Sequence, residues 1–294
     1  MASPTVVVGV QGRPEEIPAL EWAAHEANLR GAAVVAVHAS ALPIGTAAGA
    51  GPMVLPSREL LASVHLEASS LLLRAADSIH RAAPAVEVAI RFIEKSPVVA
   101  MMSSCRGADL VVLGPPRPSL QHLFAASVSR RLLARSTVPV VVVRAAARSA
   151  GAVVVEVDGT AASRLAMDFA AQEAVLRGAG LLAVHVWRRR LVRRVLDWPL
   201  LDSWDAELEA LLLVEREVDA LRAHHPRLPI TVRLVSGDPV KLLATEAATA
   251  QLVVVGAGGR KTLASRSIGA TVHALLRRTS CPLAVVPAPS PSTA

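Results

Sequence analysis

Two tandem doubly wound α/β domains are what this sequence predicts, and three observations carry the prediction. First, the chain repeats itself: "VVVGVQG" (Val6–Gly12) aligns with "VVVEVDG" (Val153–Gly159) at a displacement of 147 residues, which also carries Trp22 onto Phe169, Glu26 onto Glu173, Arg30 onto Arg177 and His38 onto His185. Farther on, Arg91 matches Arg233, Pro97 matches Pro239 and "LVVLG" at Leu110 matches "LVVVG" at Leu252, at a displacement of 142; Pro139 and Pro282 match at 143. Second, short apolar runs alternate with longer helical stretches in each copy, the pattern of parallel strands joined by crossover helices. Third, a loop of glycines, hydroxyls and cations, "GAGGRKTLASRSIGAT" (Gly256–Thr271), directly follows one such run, where doubly wound sheets bind ligands. Each copy is therefore expected to form a five-stranded parallel sheet with helices on both faces. The copies meet near "RAAARSAG" (Arg144–Gly151), giving domains 1–146 and 147–294.

The elements are clearest in the second copy. The run Val153–Val157 suits a buried parallel strand, and Ser163–Arg177 a helix, with Ser163 as N-cap and Gly178 as the C-terminal stop. "LLAVHVW" is strand two, "AELEALLLVEREVDALRAH" a long helix and "ITVRLVS" strand three. "DPVKLLATEAATA" is helix three, with Asp238 at its start and Pro239 just inside it. Leu252–Val255 is strand four, the glycine loop follows, "ATVHALLRR" is helix four and "PLAVV" closes the sheet. The last strands of the two copies, "VPVVVV" and "CPLAVV", are short, apolar and in need of a partner, so they are expected to pair.

Composition narrows the function. Hydrophobic residues make up 52% of the chain and aromatic ones 2%, so Ala, Val and Leu fill the core. The start, "MASPTVVVGVQG", has neither a basic leader nor a long apolar core, which predicts a cytoplasmic protein. Residues Gly31–Ser57 lack Asp, Glu, Lys and Arg, but Pro43, Pro52, Pro56 and three further glycines break the stretch, so a strand and loop are expected rather than a membrane span. Two cysteines, Cys105 and Cys281, make neither a disulfide framework nor a zinc set and read as buried apolar residues. The net charge of +7 is spread over both halves. Its one dense cluster, "WRRRLVRRVLDW", reads as a solvated surface insertion, and seven aromatics in the whole chain supply no stacking platform for nucleic acid.

The glycine loop matches no common phosphate motif. A Walker loop would need glycine at Val255 and Arg260, and a dinucleotide fingerprint would need one at Lys261. What stands is Gly256-x2-Gly259-x9-Gly269, in which glycines let backbone N–H groups approach a phosphate and Gly269 opens a helix with a partial positive charge. Arg260, Lys261 and Arg266 would add countercharge, and Ser265, Ser267 and Thr271 donors. By itself the segment is equally a mobile glycine-rich loop. Asp158, at the tip of strand one, is either an acceptor for a ribose or base, or a turn residue before Gly159. There is no HExxH, GxSxG or Walker lysine, so no catalytic apparatus is expected.

"VDGT" after strand one, "VHVW", "GDP", the G-x2-G-x9-G loop and a final "CPLAVV" together resemble the universal stress protein family, as a tandem covering nearly the whole chain. The resemblance implies the adenine nucleotide alpha hydrolase-like variety of Rossmann-like fold, and ATP, with or without Mg, held mostly by backbone groups. It implies that Val157 and Asp158 meet the adenosine, Val186 flanks the base, and Gly256, Gly259, Arg260, Gly269, Ala270 and Thr271 hold the phosphates. It also implies pairing of the two domains; the partners expected are an adenine nucleotide, the other half of the chain and a second copy of it, with neither nucleic acid nor membrane.

Two departures matter. Ala270 stands where the family motif has Ser or Thr. In the first copy Gln11 replaces the Asp, Arg117 the second glycine and Ala126 the third, while Pro115 and Pro116 remove two backbone donors. That copy is expected to bind no nucleotide in the family's manner and to act structurally or in regulation. The function expected is thus a stress-response protein binding ATP in its second domain. The alternative is a scaffold of the same fold that acts through protein partners.

Overall fold

A computed structural model of the chain describes residues 3–41, 57–115, 128–187, 201–258 and 269–289. The chain divides into two compact units, Met1–Leu132 and Leu133–Ala294. The first holds β1 (Thr5–Val10), a 3-10 turn (Pro14–Glu16), α1 (Ile17–Arg30), β2 (Ala33–Ala39), α2 (Arg58–Ala82), β3 (Val88–Ile93), α3 (Pro97–Ser104) and β4 (Leu110–Leu113). A short helix, α4 (Val128–Leu133), reaches the unit boundary. The strands run in the order β3-β2-β1-β4, all parallel. Val6, Val7 and Val8 are buried, as a strand covered on both faces requires. Helix α1 stops where Gly31 takes φ 60°, a left-handed turn that glycine adopts without a Cβ clash.

The second unit holds β5 (Val140–Val142), β6 (Val153–Glu156), α5 (Ala161–Leu176), β7 (Leu181–Trp187), α6 (Leu201–His224), β8 (Ile230–Ser236), α7 (Pro239–Glu246), β9 (Leu252–Gly256), α8 (Ala270–Arg278) and β10 (Leu283–Val286). Its strand order is β5-β10-β9-β6-β7-β8. Neighbours are parallel except β5, which pairs antiparallel with β10 through Val141 and Ala284. The strand expected to close the first copy thus lies in the second compact unit, and Val140–Val143 are fully covered.

One helix start differs from the sequence reading. Thr160, not Ser163, caps α5, accepting the Ser163 N–H at 3.1 Å. The Ser163 hydroxyl instead accepts the Asp158 N–H at 3.1 Å and donates to the Glu156 carbonyl at 3.2 Å. Asp238 does cap α7, accepting from the Val240 N–H at 3.0 Å.

The repeated polar residues are structural. Glu26 and Glu173 are buried and pair with Arg30 and Arg177 one turn along the same helix, which keeps a buried carboxylate compensated. Cys105 and Cys281 are buried thiols, and burial pushes Cys281 up to about 11. Among the described residues no helix is long and apolar enough to cross a membrane.

Candidate functional site

Strand β6 lies between β9 and β7, all three parallel, so the tips of these strands share one edge of the second unit. Val157, just past β6, is fastened on both sides. Its N–H donates to the Val184 carbonyl at 2.8 Å, and its carbonyl accepts from His185 Nδ1. A carbonyl only accepts, so Nδ1 carries the proton. His38 does the same for the Val10 carbonyl in the first unit, at 2.8 Å. The repeated histidine therefore ties the tip of strand one to strand two.

Asp158 sits at that tip. Its Oδ1 accepts from the Thr160 N–H at 2.9 Å and the Thr160 hydroxyl at 2.6 Å, a side-chain turn across Gly159, whose φ is 78°. A Cβ at Gly159 would lie 2.6 Å from Leu213. These bonds fit a turn residue, and they leave the adenosine-binding reading of Asp158 to be tested. Val186, near the end of β7, is partly exposed beside this tip.

Gly256 ends β9, and the reason for its lack of side chain is packing: a Cβ there would lie 2.9 Å from the Ala162 backbone at the start of α5. Gly114 stands in the same relation in the first unit, where a Cβ would meet the Glu16 Cβ at 3.1 Å. A glycine after strand four thus lies against a helix start in both copies, and at Gly256 the contact is close enough to exclude a side chain whatever the domain binds. Gly259 and Arg260 lie outside the described residues, as do Lys261, Arg266 and the arginine cluster at 188–194. Gly269 is the N-cap of α8 with no side-chain capping bond, so the first N–H groups of that helix, at Ala270 and Thr271, have no side-chain partner among the described residues. Connecting parallel β9 and β10, α8 begins at the same edge as the strand tips.

Sequence reasoning passed over Glu156, counting Val153–Val157 as a wholly apolar run. Burial, and then the nearby charge of Asp158, push the Glu156 carboxyl up to about 7. The signal was present: the repeat places Gly9 at this position in the first copy, so one copy has a carboxyl where the other has no side chain.

The first unit fills the corresponding tip from within. The Glu16 carboxylate, buried, accepts the Gln11 N–H at 2.7 Å and the Gly12 N–H at 2.8 Å. Its counterpart 147 residues on is the uncharged Ser163. Arg117, Ala126 and Pro116 lie outside the described residues. Among the described residues no group of three His, Cys, Asp or Glu could hold a metal ion.

Comparison with known proteins agrees with this architecture. The model of the universal stress protein family matches residues 3–144 and again 151–287. A universal stress protein of Mycolicibacterium smegmatis is 31% identical over 293 residues, covering 96% of each chain. One of Mycobacterium tuberculosis strain H37Rv is 29% identical over 296 residues, covering 95% of this chain and 96% of its own. A solved universal stress protein from Archaeoglobus fulgidus shares the fold, with a TM-score of 0.70 at 18% identity over 97% of this chain and 96% of that one. Matched by the family model over both halves, the chain belongs to the universal stress protein family and carries two tandem copies of its domain.

Proposed function

We propose that the domain spanning residues 147–294 binds ATP, with or without Mg, at the shared edge of β6, β7 and β9. On this reading Val157 and Asp158 meet the adenosine and Val186 flanks the base. Gly256, Gly259, Arg260, Gly269, Ala270 and Thr271 surround the phosphates. The domain 1–146, with Glu16 occupying its tip, is regulatory or structural; the two domains pair within one cytoplasmic chain, and a second chain is a candidate partner. The observation that supports the reading most is the start of α8, whose N–H groups carry no side-chain cap among the described residues and lie at the same edge as the Asp158 turn. These are the groups that a phosphate and a ribose would require, and they call for no catalytic residue. ATP would supply charge and a binding energy that couples nucleotide level to the state of the protein.

A scaffold that acts without nucleotide is the second reading. Ala270 without a hydroxyl, Gly256 explained by packing against Ala162, and a second carboxyl at Glu156 favour it. Denaturing freshly purified protein and identifying the released small molecules by mass spectrometry separates the two. Released adenine nucleotide supports the first; empty protein that also gives no heat with added ATP supports the second.

A further inference from the structure

The first unit contains a groove of about 350 Å3 between the start of α1 and helix α2. It runs from the tip of strand one, where Gly12 and Glu16 line it, between the two helices, and its lining is of two kinds. Ile17, Leu20, Leu71 and Ala75 form an apolar wall, and Arg13, Arg74 and Arg81 bring three guanidinium groups. The volume falls at the small end of the range for ligand sites.

The second copy shows what is missing here. Leu71 stands against Gly12 as Leu213 stands against Gly159, so α2 and α6 correspond at the displacement of 142. By the same register Arg216 corresponds to Arg74 and Glu217 to Ala75, while Arg164 corresponds to Ile17 at 147. In the second copy Arg164 Nε binds both oxygens of Glu217, at 3.1 and 2.9 Å, and Arg216 donates to the same carboxylate at 3.0 Å. That copy thus holds its own carboxylate between its first and second helices. In the first copy Ala75 leaves the space open, and Arg74 bonds only the Ser70 hydroxyl among the described residues.

Two further features point the same way. Arg81 makes no hydrogen bond or ion pair among the described residues, and neither does the hydroxyl of Ser78, which is 7% exposed and lines the groove. The second copy has Ala220 at the position of Ser78. The acidic residues of the lining limit the ligand's charge. Arg13 is paired with Glu15 at 3.3 Å, Glu16 is engaged by two backbone N–H groups and Asp77 is exposed, so Arg74 and Arg81 are the guanidinium groups of the lining that make no ion pair among the described residues. A ligand with one carboxylate suits this pair, as Glu217 suits Arg164 and Arg216 in the second copy.

We propose that this groove binds a small organic monocarboxylate with an apolar body, its carboxylate standing where Glu217 stands in the second copy. The site is separate from the proposed nucleotide site and does not depend on it. Octanoate is the probe, with octanol and octylamine as controls, read by saturation-transfer NMR and calorimetry on the full chain without ATP. Octanoate is expected to bind once per chain with a dissociation constant on the order of 1 mM, and octanol at least about tenfold more weakly. Building the second copy's pair into the first, with Ile17→Arg and Ala75→Glu together, should abolish binding. Should that variant misfold, Arg74→Gln with Arg81→Gln, both at exposed positions, should still weaken octanoate by about tenfold or more. ATP at saturation should not displace the probe. Octanol binding as tightly as octanoate, an undiminished affinity in the arginine variant, or no binding at about 10 mM would overturn the proposal.

Discussion

The tips of strand one in the two copies have the same backbone and opposite chemistry. Both have a glycine with φ near 78°, at Gly12 and Gly159, and both are tied down by a histidine from strand two. In the first copy a buried carboxylate, Glu16, takes the two N–H groups of the turn. In the second a hydroxyl, Ser163, takes one, and the acid has moved to Asp158 at the turn itself. The difference separates what the fold needs from what a ligand needs. Gly114 and Gly256 survive in both because a helix start presses on them. The acid at the turn, by contrast, distinguishes the copies.

Changes at five positions sharpen the comparison, the largest effect first. Gly256→Val places a side chain into the Ala162 backbone and should destabilise the second unit by about 3 kcal/mol or more, seen as a fall in its denaturant midpoint. Gly114→Val meets the side-chain carbon of Glu16, which gives way more readily, and should cost less.

Glu156 comes next. Its carboxyl, raised from 4.5 to about 7, keeps a proton in the folded protein that the unfolded chain has already lost. Its contribution is therefore full below about pH 4.5 and is lost as pH rises through about 7, a penalty of about 2 to 4 kcal/mol. Urea titrations between pH 5 and 8 should show that fall in stability with the native sequence and a flatter profile with Glu156→Gln. Gly9, its counterpart, contributes no such slope.

Asp158→Ala should weaken ATP by roughly 1.5 to 3 kcal/mol, about one to two decades, measured by calorimetry. It also removes the turn to Thr160, so Asp158→Asn, which keeps an acceptor for that turn, isolates the role of the charge. The smallest effect is Ala270→Ser, where a returned hydroxyl at the first turn of α8 should tighten ATP by about 0.5 to 1.5 kcal/mol in the same titration.

Much of the fold was legible because valine runs buried on both faces leave little choice of secondary structure, and the repeat carries the reading of the second copy over to the first. Strands β7 and β8 fall on the residues read from sequence, and α8 does too. The helix start at Thr160 was not legible. Whether Thr160 or Ser163 caps depends on the Asp158 turn, which draws the Ser163 hydroxyl away to the strand end. Glu156 was hidden by its neighbours, since an apolar run tolerates one polar member without losing its pattern. The groove of the first unit was beyond reach for another reason: Ile17 and Ala75 lie on different helices, and only their packing shows that an ion pair is absent. Asp158 and the glycine spacing were legible as residues, but Gly259 and Arg260 lie outside the described structure, so their part in the site rests on sequence alone.

The central claim is that two copies of one domain carry one nucleotide site. Calorimetric titration of ATP into the full chain, repeated with Gln11→Ala and with Asp158→Ala, tests it most directly. The account predicts one ATP per chain, an affinity unchanged by the Gln11 substitution and a loss of about one to two decades with the Asp158 substitution. Two ATP per chain, or equal losses from the two substitutions, would contradict it.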